Sequence, residues 1–130
     1  VPSQQLSPHF HLREFHCHDG TRVPMAARPA LRWVCNHYLE PLREHFGACR
    51  VLSGYRTRPY NASVGGARFS QHIYEDGPES VATDVHFARG TPADWAAWAE
   101  QHLHPGGLGI YPGLGFIHID NREGRARWTG

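Results

Sequence analysis

GLGIYPGLGFIHID, at residues 107–120, reads as two short strands folded back on each other. Its apolar residues fall in two runs, 108–111 and 114–120, and Pro112-Gly113 with Gly115 supplies the turn chemistry between them. A third run, 124–128, follows the turn Asn121-Arg122-Glu123-Gly124. Upstream, SVATDVHFA at 80–88 alternates as a strand does: Val81, Thr83, Val85 and Phe87 share one face, and Ala82, Asp84, His86 and Ala88 the other. CRVLS at 49–53 reads as one more short strand. Two helices complete the pattern. Over 28–46, Leu31, Val34/Cys35, Tyr38 and Leu42 form one apolar stripe, with Pro29 in the first turn and Gly47 as C-terminal cap. Pro41 inside it predicts a kink or break after Leu39 or Glu40. Over 92–103, Thr91 caps, Pro92 opens, and Trp95, Trp98/Ala99 and His102 make the stripe. Residues 57–69 read as a loop with one helical turn, 8–24 as short turns, and 1–7 as a loose start. The expectation is one domain over 1–130, α+β, with a small, mostly antiparallel sheet flanked by helices.

Composition excludes several classes. Thirteen basic residues, all Arg, face twelve acidic ones and are interspersed with them, so the basic stripe of a nucleic-acid binder is missing. No apolar run approaches the roughly 20 residues of a membrane span. No signal peptide is visible; the chain opens on Val1 and not Met, as expected if a leader is already gone or if this is a piece of a longer chain. Eleven histidines are the anomaly: in acid they add up to eleven positive charges to a net charge of +1, which should destabilise or solubilise the chain. Cys17, Cys35 and Cys49 form no CxxC pair, which excludes a cysteine-rich zinc knuckle. They are three buried thiols or, after export, one disulfide and one thiol.

A catalytic zinc needs about three N or O ligands and an open position. Asp84 and His118 sit on expected strands among small or apolar neighbours, where an unpaired polar group is costly. His72 lies in a polar loop. Singly, each is as readily a structural residue. The motif HFHLREFHCHDG at 9–20 looks metal-like, but its neighbouring side chains alternate in direction, and an Asp19-Gly20 turn is the plainer reading. Trp95, Trp98 and Trp128 read as core.

Five blocks, in order, carry a resemblance: SGYRTRPYN (53–61), VGGARFSQH (64–72), ATDV (82–85), GLGIYPGLGFIHID (107–120) and RARW (125–128). Together with the opening 9–20 they resemble the M15 zinc peptidases of the D-Ala-D-Ala carboxypeptidase type, in the branch ending in FxHxD, over roughly residues 8–128. The resemblance implies the zinc fold that these peptidases share with hedgehog-type signalling domains. It implies Zn²⁺ held by His72, Asp84 and His118, with Arg56 as the active-site arginine beside Tyr55 at the substrate. Two imidazoles and one carboxylate leave net positive charge at such a metal. The implied substrates are peptidoglycan stem peptides or crosslinks, cut at D-Ala or at an L-Ala–D-Glu-type bond. The implied setting is secreted, periplasmic or cell-wall, or a phage lysin. A monomer is expected. The rival reading is a zinc-containing binding domain of the same fold without hydrolysis.

Two departures from the family pattern matter. The family spaces its first two ligands as HxxGxAxD, but His72 and Asp84 stand twelve positions apart, with five extra residues within 73–79 and Ser80 in place of Gly. Glu75 or Asp76 could compete for the metal; Asp84 is favoured because VATDV keeps the strand pattern. The insertion, acidic through Glu75, Asp76 and Glu79, should border the cleft and favour amine-bearing peptides. Second, relatives carry a Glu, Asp or His two or three residues before the last ligand, where this chain has Gly115 and Phe116. Asp120 is the substitute, either as general base or as the group that orients His118. His86 is the second choice.

Overall fold

The computed structural model describes residues 4–130. The expectation of a loose start lies partly outside them, and Gln5–Ser7 departs from it. That segment is strand β1, antiparallel to β2 (Phe10–His11), and it buries Leu6. A 3₁₀ turn, Leu12–Phe15, follows and buries Leu12 and Phe15. The long helix is built as α1 (Arg28–Val34), a wide turn at Cys35–Leu39, and α2 (Glu40–Phe46). The irregularity therefore begins one turn earlier than expected. Pro41 has no N–H and its ring crowds the carbonyl four residues back, and the π-type turn immediately before it relieves both. The stripe Leu31, Val34, Cys35, Tyr38 and Leu42 is buried as expected, and Gly47 ends the helix at φ 88°.

Strand β3 (Cys49–Ser53), helix α3 (Arg58–Ser63) and strand β4 (Ala82–Phe87) lead into α4 (Pro92–His102). Then come β5 (Gly107–Tyr111), β6 (Phe116–Asp120) and β7 (Ala126–Thr129). The five-stranded sheet runs β3-β4-β6-β5-β7, antiparallel except for the parallel pair β5–β7. The fold is α+β with a mixed sheet. Val85, Phe87, Ile117, Ile119 and Leu108 meet the helices in one core.

The stripe of α4 is rotated from the expected one. Trp95, Ala96 and Ala99 are buried, Trp98 is half-buried and His102 is exposed. The alanines let the helix lie close to the sheet, while Trp98 stacks between His45 and His102 at the surface. Cys17, Cys35 and Cys49 are free thiols. The amino-terminal histidines hold structure: His9 pairs with Glu40, His16 accepts the Val23 N–H, and Asp19 accepts from Thr21 at a turn where Gly20 has φ 94°.

Candidate metal centre

The sheet face away from the core carries one row of paired positions: Asp84 on β4, His118 on β6, Gly109 on β5 and Trp128 on β7. The next row is Ala82, Asp120, Gly107 and Ala126. Strand alternation therefore aims Asp84, His118 and Asp120 to the same side. His72 arrives from a loop stapled to the end of β3. Its carbonyl accepts the Arg56 N–H at 2.8 Å, and its Nδ1 lies 2.7 Å from the Gly54 carbonyl.

His72, Asp84 and His118 are all buried, and one ligand atom from each lies within 4.8 Å of the others. Among the described residues this is the one group of three that could hold a metal ion. Asp84 Oδ1 stands 3.2 Å from both His72 Nε2 and His118 Nδ1, yet it is buried with no hydrogen-bond partner. The other ring nitrogens explain why. Beside the Gly54 carbonyl, His72 Nδ1 must carry the hydrogen, and beside the Asp120 carboxylate, at 2.6 Å, His118 Nε2 must carry it. In neutral rings, Nε2 of His72 and Nδ1 of His118 are then lone pairs aimed at a third lone pair. Only positive charge fills that gap well. Burial opposes ionisation of Asp84, but positive charge on the two facing imidazoles outweighs it and holds its carboxyl well below the usual range. Burial likewise opposes charge on His118, and Asp120 and Asp84 reverse that and raise it. The donor set, two imidazoles and a carboxylate, fits Zn²⁺.

The remaining sequence candidates divide. Arg56 lines the cleft: Nη2 lies 3.5 Å from Asp84 Oδ2, while Nε donates to Ser53 and Nη1 to Asn61. Tyr55 does not line it. It is buried, and its hydroxyl donates to Glu75, so it holds the inserted loop. Asp120 is fully buried and saturated. It takes hydrogen bonds from His118, from the Gly107 N–H at 3.0 Å, and from Arg122 through N, Nε and Nη2. Of its two readings, this geometry fits the orienting one, because no oxygen of Asp120 is left for a reacting proton. His86 is exposed, beside the Gly115 carbonyl, and is not part of the cleft lining.

The insertion is fastened rather than loose. Tyr74 is fully buried and donates to the Ala82 carbonyl, and Asp76 pairs with Arg58. Glu75 and Asp76 are thus engaged away from the ligand group, and neither is a free acid to select an amine.

Two participants escaped the sequence reading. Arg122 clamps Asp120 and lies over the Trp128 ring, 5.3 Å from its centroid. Trp128, expected in the core, is half-buried in the cleft wall with its ring 4.8 Å from that of His118. The signal was Gly107 and Gly109, two glycines on one strand face, the mark of close approach. A Cβ on Gly107 would lie 2.1 Å from Asp120, and one on Gly109 2.4 Å from the Trp128 ring. The cleft over these groups encloses about 500 Å³.

A search of the curated proteins returned no match. The family model described as Peptidase M15 matches residues 8–120, in agreement with the order of blocks and the ligand group. The chain belongs to the peptidase M15 family, metallopeptidases that are typically zinc-dependent and act on peptidoglycan-type substrates.

Proposed function

We propose that this protein is a zinc metallopeptidase that hydrolyses amide bonds in the peptides of bacterial cell wall, at D-Ala in stems or crosslinks, outside the cytoplasm. One observation carries the reading: the buried, partnerless Asp84 Oδ1 facing the lone pairs of His72 and His118 in the wall of an open cleft. When bound there, Zn²⁺ supplies Lewis acidity to a water molecule and a scissile carbonyl.

The chain's own groups do the rest. His72, Asp84 and His118 hold the ion. Asp120 fixes the tautomer and ring angle of His118, and Arg122 fixes Asp120. Arg56 keeps Asp84 oriented and has N–H groups left for a substrate carboxylate or a developing oxyanion. Trp128 and Phe116 shape the cleft against water.

A second reading has an observation in its favour. With Asp120 saturated and no titratable side chain at Gly115 or Phe116, a zinc-holding binding domain without turnover fits the same geometry. The test is digestion of purified peptidoglycan by wild type and His118→Ala, with zinc content measured in parallel and products identified by mass. Release of fragments by wild type, with zinc and activity both lost in His118→Ala, supports the peptidase. One zinc per chain with no product from stem peptides or crosslinked dimers supports the binding domain.

A further inference from the structure

A second groove opens beside the metal cleft. It encloses about 600 Å³ and shares Phe69, Ser70, Gln71 and Arg122 with the cleft wall, so the two are adjacent along one surface. Each falls within the range, about 300–1,000 Å³, that holds a ligand of several heavy groups. Its far side is Asp76, Gly77 and Ser80, residues of the insertion and its end.

That wall is preformed. Tyr74 anchors the loop in the core, Ser80 donates to Gln71 at 2.9 Å, and Asn121 ties the Glu79 carbonyl and the Val81 N–H. The lining carries both signs of charge. Arg122 spends Nε and Nη2 on Asp120 and leaves Nη1 without a hydrogen-bond partner among the described residues. Glu123, next to it, is exposed and has no ion pair among the described residues. At the junction, Phe69 is 77% exposed, an apolar edge with no core to fill.

We propose that this groove is an accessory peptide subsite, in which the insertion, Arg122 Nη1 and Glu123 hold a polar segment bearing both carboxylate and ammonium groups while the bond to be cut lies at the metal. The inference rests on the peptidase reading and deepens it. A substrate that ends within the metal cleft leaves the groove empty. A branched or crosslinked peptide fills both spaces, and binding energy gathered in the groove can be spent on positioning at the reacting bond.

The experiment uses the zinc-loaded chain with two probes: a synthetic monomeric stem pentapeptide and the purified crosslinked dimer of two stems. Ser80→Trp fills the groove, and Glu123→Arg removes one sign of its charge. Wild type should favour the dimer, and both variants should lower the dimer-to-monomer ratio of kcat/KM by about tenfold, through KM for the dimer, at unchanged zinc content. A dimer no better than the monomer in wild type overturns the proposal and leaves the peptidase reading standing. So does an equal fall on both probes. If wild type cuts neither probe, the peptidase reading fails, and calorimetric binding of the dimer decides for the groove. Weaker binding to Ser80→Trp supports it, and equal binding to wild type and variant overturns it.

Discussion

Gly107 and Gly109 stand under the site in the way a Cβ never could. The Asp120 carboxylate lies across the first and the Trp128 ring across the second. This makes a sharp prediction at the scale of one methyl group. Gly107→Ala should push Asp120 from its seat, cost about 1–3 kcal/mol of stability by overpacking, and lower zinc affinity. Asp120→Ala should lower zinc affinity about 10- to 100-fold, since His118 loses the partner that fixes its ring. Zinc titration against a competing chelator checks both. An alanine at 107 that left zinc affinity intact would show that the carboxylate does not position the ligand. At this scale the candidate ligand types were legible in the sequence, and the structure groups Asp84, rather than Glu75 or Asp76, with His72 and His118. The part of Arg122 was not, because a side chain that acts through another has no motif of its own.

At the scale of elements, the edge strand β7 is held to α4 by Glu100, which takes two hydrogen bonds from Arg127, at 2.6 and 2.9 Å, and pairs with a second cation, Arg125, at 3.3 Å. Hydrogen bonding to Arg127 comes first among the causes that bring the Glu100 carboxyl down to about 2. A carboxyl whose pKa falls on folding adds stability above its unfolded value. That stability is lost as pH falls through the folded one. Glu100→Gln should therefore cost up to about 1 kcal/mol at neutral pH, as suits a partly exposed pair. The difference from wild type should vanish as pH drops from about 4.5 towards 2, in urea melts at each pH. The Thr91–Asp94 capping box that starts α4 offers a cleaner loss: Thr91→Ala should cost about 1 kcal/mol at neutral pH. The two long helical segments, 28–46 and 92–103, and every strand of the main sheet were legible from period and punctuation. The wide turn at Cys35–Leu39 was legible only as a disturbance near Pro41.

At the scale of the whole molecule, the three candidate ligands come from one loop and two strands, so an ion held by them would tie together segments distant in sequence. An ion that binds only the folded chain stabilises it, by about 2.7 kcal/mol at a hundredfold excess over Kd. Thermal melts should therefore shift upward with added zinc and downward with chelator, and His118→Ala should abolish the shift. A wild-type melt indifferent to zinc would count against the site itself.

The sequence by itself determined the α+β class, the long helices, the strands of the main sheet and three candidate ligands, because strand alternation and turn chemistry are local and the motif blocks stand in order. It could not settle what the ligands lean on. Trp128 entered the site because β7 pairs parallel to β5, which sets it opposite Gly109 and over His118. Asp120 became a support because Gly107 and Arg122 consume its oxygens. Two of the insertion's three acids, Glu75 and Asp76, became fasteners because Tyr55 and Arg58 reach them first. Each of these is a meeting of residues far apart in the chain, and only tertiary structure decides which polar group finds which partner.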